Sequence, residues 1–146
     1  MIPTYYMLNA NKISLNVKKT EMVIFKSKRK KFNDTVKIKI SGKRIYPTAS
    51  VKYLGVKIHQ RLTWQHHIND LSVKLNRANA LLFEIRKFVD DKILRSVYFA
   101  IFESNLNYCS LVWAQNYATN RLVILQKKAL RIMNYQPQNS HTSPLF

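Results

Sequence analysis

TWQHHINDLSVKLNRANALLFEIRKFV, residues 63–89, is the stretch that decides the fold. Its apolar residues Trp64, Ile68, Leu71, Leu75, Ala78, Leu82, Ile85 and Val89 recur at spacings of four, then alternately three and four. A helix turns once every 3.6 residues, so these side chains form one apolar stripe along a helix of about six turns. Thr63 is the expected N-cap, with a hydroxyl that can accept a free N–H of the first turn. Further along, a second helix is expected over residues 91–107, with Leu94, Val97, Ile101 and Phe102 inward. A third is expected over 120–134, with Leu122, Leu125, Ala129 and Ile132 on one face. Residues 108–117, around Trp113, are apolar and partly irregular, and residues 136–146 lack periodicity and read as a tail.

Before residue 63 the period changes. Residues 8–20 (LNANKISLNVKKT) read as a helix end and a turn, with Asn9, Asn11 and Asn16 as turn and cap residues. Residues 21–25 (EMVIF) are β-prone, and 26–31 (KSKRKK) are a charged break. Residues 36–40 (VKIKI) alternate apolar and basic, as a strand with one wet face does. Ser41-Gly42 supplies a turn, and residues 43–46 and 51–58 (VKYLGVKI) read as further strands, broken at Pro47. The expected class is therefore α+β: a small antiparallel β-sheet with lysines on its exposed face, followed by a three-helix bundle.

Charge sets the partner class. The 146 residues carry 25 Lys+Arg and 7 Asp+Glu, a formal net charge of +18. Residues 1–62 hold 15 basic and 2 acidic residues, net +13, whereas 63–146 hold 10 and 5, net +5. Such a balance calls for an acidic polymer, of which RNA and DNA are the commonest. No long helix joins a lysine-rich face to a purely apolar one, and the most apolar stretch, 97–102, is too short to span a bilayer, so a membrane partner is not expected. Cys109 is the sole cysteine, its neighbours are apolar, and it is expected to be a buried thiol. A reducing, intracellular setting, nuclear or cytoplasmic, is expected. The start, Met1-Ile2-Pro3, does not read as a secretion signal.

Several motifs have competing readings. The cluster Lys26-Ser27-Lys28-Arg29-Lys30-Lys31 suits a phosphate-contacting hairpin tip or a solvated loop, and less well a nuclear import signal. Lys37 and Lys39 should share the wet face of their strand. Lys127, Lys128 and Arg131 form a smaller basic patch that a solvated helix face explains equally well. Asp90-Asp91 has the form of a metal-binding pair, yet it opens an amphipathic helix, where carboxylates cap free N–H groups. His59, His66 and His67 have no partners at metal-ligand spacing. Catalytic and metal residues are accordingly expected to be none, and no cofactor or small-molecule substrate is expected.

Taken in order, several blocks resemble reverse transcriptases of non-LTR retrotransposons, the jockey-like group. Residues 8–20 with Met22–Phe25 resemble the segment after that family's catalytic hairpin, the end of the palm called motif D. Residues 52–58, with Leu62-Thr63-Trp64 and His67-Ile68, resemble its "KYLGV.ID..L.W..HI" block. Residues 125–132 are similar to its "LQK.A.R.I" segment, and 141–146 to its "HT.PLF" segment. The resemblance covers nearly all of the chain after residue 8. It implies a partial palm end and primer-grip-like β region over 1–62, a helical thumb-like region over 63–135, and a tail over 136–146. It also implies that Lys18, Lys19 and Thr20 lie near nucleotide or phosphate, and that Tyr53, Leu54 and Gly55 form the grip on a primer.

The family's Asp-Asp hairpin and fingers lie upstream of motif D, and residues 1–8 do not supply them. The parent polymerase would need Mg²⁺ on those carboxylates to activate a primer hydroxyl. The expected function is thus that of a reverse-transcriptase fragment that binds template–primer and is not an enzyme on its own. The alternative is a repurposed small basic nucleic-acid-binding protein, or a relic of the element without a role.

Overall fold

A computed structural model of the chain describes residues 7–8, 10–27, 29, 36, 38–40, 42–115, 117–137 and 139–141. It divides into two compact units, residues 1–63 and 64–146. The class is α+β: small antiparallel β-hairpins precede three main helices.

In the first unit, Asn16 caps a 3-10 turn over Val17–Lys19, its Oδ1 accepting from Lys18 N at 3.1 Å. Asn11 closes the preceding helix end, its N–H reaching Met7 O at 3.2 Å. Asn9 lies outside the described residues. The β-prone run 21–25 forms no strand. Met22 makes an isolated bridge to Pro47, and the segment is pinned by Thr48 N to Met22 O at 2.7 Å and Lys26 N to Gln60 O at 3.0 Å.

Strands β1 (Ile38–Ile40) and β2 (Lys43–Ile45) pair antiparallel across a turn that holds Gly42 at φ +80°. Strands β3 (Ser50–Tyr53) and β4 (Val56–His59) form the second hairpin. Two readings from the sequence need correction here. Among the described residues the strands pair as two two-stranded hairpins rather than as one sheet. The run VKYLGVKI is not one strand, because the chain reverses at Leu54 and Gly55, both at positive φ (46° and 83°). Two consecutive positive-φ residues make a type I′ reversal, whose twist matches that of the strands it joins.

The helices carry the core. Helix α1 (Gln65–Ile85) buries Ile68, Leu71, Leu75, Ala78 and Leu82, with Trp64, Ile85 and Val89 packed half-buried at its ends. The stripe is as expected, but the helix stops before residue 86 and its start is not capped by Thr63. The Thr63 hydroxyl instead meets His59 Nδ1 at 3.0 Å, and no side chain caps the helix.

Helix α2 (Asp91–Tyr98) runs through a π-helical stretch, Phe99–Glu103, into a last α-turn, Ser104–Asn107. Asp90 caps its start, Oδ1 accepting from Ile93 N at 2.7 Å. Helix α3 (Asn120–Met133) buries the four residues expected of it, Leu122, Leu125, Ala129 and Ile132. Between α2 and α3 a short helical turn, Ser110–Trp113, sinks Trp113 into the core. Cys109, expected to be buried, is exposed: it precedes that turn in a left-handed conformation, φ 51°, and its apolar neighbours Tyr108, Leu111 and Val112 are themselves exposed, so they form no core around it. Among the described residues no helix is long and apolar enough to cross a membrane.

Candidate nucleic-acid interface

Strand register places the basic side chains. Residues directly opposite in an antiparallel pair share a face. In the first hairpin Lys39 faces Arg44, while Ile38 faces Ile45, which is buried. In the second, Lys52 faces Lys57, and the opposite face carries Val51 with Ile58 and Tyr53 with the buried Val56. Each hairpin thus sets a pair of cations side by side on one face; the opposite face is apolar in the second, while in the first it also carries exposed Lys43 across from Ile40. Like charges directly opposite one another destabilise a hairpin. The Lys39–Arg44 pair bears this cost.

The tip of the second hairpin is of another character. Tyr53 is 63% and Leu54 70% exposed, large apolar groups in water at the point where the chain reverses. Gly55, at φ 83°, has no side chain to keep a ligand from the backbone of the turn. The tip thus joins an aromatic ring, an aliphatic side chain and an open backbone to the flanking Lys52 and Lys57.

The other candidates are distributed differently. Lys18 and Lys19 are exposed on their 3-10 turn. Thr20 is half-buried, and its hydroxyl donates to Asn16 O at 2.9 Å, so it serves the local turn. Arg29 is exposed. Lys28, Lys30, Lys31 and Lys37 lie outside the described residues, as does most of the segment 141–146. The sharing of a face by Lys37 and Lys39 therefore has no structural counterpart here, and the partner found for Lys39 is Arg44.

Arg44, Lys52 and Lys57 were not singled out from the sequence. The signal was present for the last two: Lys52 and Lys57 are symmetric about Leu54-Gly55, which becomes visible once the chain is folded back there.

The second unit has its own basic group. Lys128 is exposed, and Arg131 is half-buried with Nε donating to Ser140 O at 2.9 Å. Both line a groove of about 630 Å³ between α1 and α3, together with Phe83 and Arg86. Three of the five carboxylates of this unit have structural partners. Asp90 caps α2, Glu84 pairs with Lys87 at 3.0 Å, and Glu103 accepts from Tyr98 Oη at 2.7 Å and Asn107 Nδ2 at 2.9 Å. Among the described residues no three His, Cys, Asp or Glu side chains converge as metal ligands would. His67 is instead packed edge-on against the Trp113 ring, 5.6 Å between centroids.

Comparison with protein-family models, with curated proteins and with solved structures finds no match to this chain.

Proposed function

We propose that this chain is the primer-grip and thumb-like portion of an RNA-directed DNA polymerase of the non-LTR retrotransposon type. It binds an RNA or DNA template–primer through its hairpins and does not polymerise on its own. The observation that carries the binding half is the pairing of like charges, Lys39 with Arg44 and Lys52 with Lys57. The Lys39–Arg44 repulsion is relieved when phosphates lie over that pair, and Lys52 with Lys57 offers phosphates a second pair of neighbouring cations. The exposed Tyr53-Leu54-Gly55 tip supports a grip on the sugar or base of a strand, since aromatic and aliphatic groups contact bases without reading sequence. The polymerase origin rests on the ordered sequence blocks. The inactivity rests on the carboxylates, of which Asp90, Glu84 and Glu103 are each committed to a structural partner.

Binding measured against salt tests the first half. Phosphate contacts release counterions, so log affinity falls linearly with log salt, by about 0.9 per contact on a duplex. Replacing Lys39, Arg44, Lys52 and Lys57 with Gln should weaken binding to all sequences alike and flatten that slope by several units. Unchanged affinity and slope would remove the hairpins from the interface. Template-directed primer extension by the purified chain with Mg²⁺ tests the second half, and measurable extension would overturn it.

A further inference from the structure

The groove between α1 and α3 has the size of a site for a small organic ligand, about 630 Å³. Three cations line it, Arg86, Lys128 and Arg131. Among the described residues none of them is in an ion pair. Two are held in place by main-chain oxygens: Arg86 Nη1 donates to Ile132 O at 3.3 Å, and Arg131 Nε to Ser140 O at 2.9 Å. Each bond occupies one of five N–H donors, so the rest of each fork is positioned in advance for an oxyanion. Glu84 also lines the groove, but its charge is matched by Lys87 at 3.0 Å.

The remaining features are not those of a bare anion site. Phe83 and Ile124 give the groove an apolar wall, and the Arg86 guanidinium lies 4.3 Å over the Phe83 ring. Tyr135 also holds the backbone of Arg86, its hydroxyl donating to Arg86 O at 2.9 Å. At the floor, Asn79 is 1% exposed. Its Nδ2 donates to Leu125 O at 3.0 Å, while its Oδ1 has no partner. Interiors rarely leave an acceptor unpaired, and an N–H brought by a ligand can supply the missing bond once the covering atoms give way.

The geometry points to a nucleotide site: phosphate oxygens on Lys128, Arg131 and Arg86, a planar ring against Phe83 and Ile124, and a ring amine or amide toward Asn79. Inorganic phosphate would use the cations alone, and an apolar ligand would use neither the cations nor the buried acceptor. The nucleotide is either free or the 5′-phosphorylated end of a strand, since both present the same chemistry. The site lies wholly within residues 64–146 and does not rest on the reading of the hairpins.

Titration of the isotope-labelled full chain at fixed ionic strength, read from backbone amide shifts, tests this. The probes are adenosine 5′-monophosphate, a 5′-phosphorylated tetranucleotide and inorganic phosphate. Saturable shifts at Phe83, Arg86 and Lys128 are expected with the mononucleotide or with the strand end, and whichever saturates identifies the source. Inorganic phosphate should bind more weakly by about tenfold, the worth of one lost charge-assisted or ring contact. Lys128→Gln, on an exposed side chain, should weaken binding by about the same factor. Lys92→Gln, on the exposed surface of α2, should not. Absence of saturation with both nucleotide probes would overturn the assignment. So would phosphate binding as tightly as the nucleotide, or equal weakening by Lys128→Gln and Lys92→Gln, which would signify general charge attraction.

Discussion

At the N-terminus of α2 a single oxygen, Asp90 Oδ1, accepts the Ile93 N–H at 2.7 Å. Replacing Asp90 with Ala leaves that donor to water and should cost about 1 kcal/mol, whereas Asn, which also caps, should cost little. Thermal melts of the two variants check this, and equal losses would mean that charge rather than the cap matters. The role of Asp90 was legible because an amphipathic pattern begins directly after it. Thr63 was misread because the helix begins one residue later than expected, with Trp64 at its cap position, while the Thr63 hydroxyl meets His59 at 3.0 Å four residues back. Cys109 was misread because its apolar neighbours Tyr108, Leu111 and Val112 are themselves exposed, so an apolar stretch of sequence did not mean a buried one.

At the scale of elements, periodicity located α1 and α3 well because a stripe of apolar residues survives any detail of the loops. The β3–β4 reversal was not legible. Asn-Gly or Asp-Gly announces a type I′ turn, and this chain uses Leu54-Gly55. A leucine at φ 46° is strained, by roughly 1–2 kcal/mol for a left-handed residue with a side chain. Leu54→Asn should therefore stabilise the hairpin by up to about 1 kcal/mol, since Asn tolerates this conformation, while it removes the aliphatic tip. A variant that is more stable in denaturant yet binds template–primer less well would show strain retained for binding. Unchanged binding would assign the leucine no part in it.

The π-helical stretch in α2 was equally hidden, although one of its consequences can be titrated. Burial, with the hydrogen bond to Glu103 as the second cause, pushes the Tyr98 phenol up to about 12 from 10.0. The folded state thus favours the neutral phenol. Its contribution to stability is complete below pH 10, where the unfolded chain also keeps the proton, and is lost as pH rises through about 12. Ultraviolet titration should show a tyrosine ionising late, and Tyr98→Phe should remove that late step.

On the scale of the whole molecule, charge and core are divided between the two units. The core cluster is drawn entirely from residues 64–146, whereas Ile45 and Val56 are the buried apolar residues described in the first unit. Two-stranded hairpins by themselves are marginal in water. Limited proteolysis should therefore cut first within 1–63 and leave a product spanning 64–146 that keeps the helical circular dichroism and a cooperative melt. Survival of the hairpins after loss of the helical signal would reverse that order. Composition announced this asymmetry, since residues 1–62 carry a net +13. The register that pairs the cations was beyond composition, because it depends on where the strands turn.

The exposed position of Cys109 gives the molecule a built-in place for a reporter. It is the single thiol in the chain, so a maleimide dye attaches at one defined point without mutagenesis. Both tryptophans, Trp64 and the buried Trp113, belong to the same unit as that thiol. Energy transfer from indole to dye therefore follows the opening of the helical unit alone, and a melt recorded this way is blind to the hairpins.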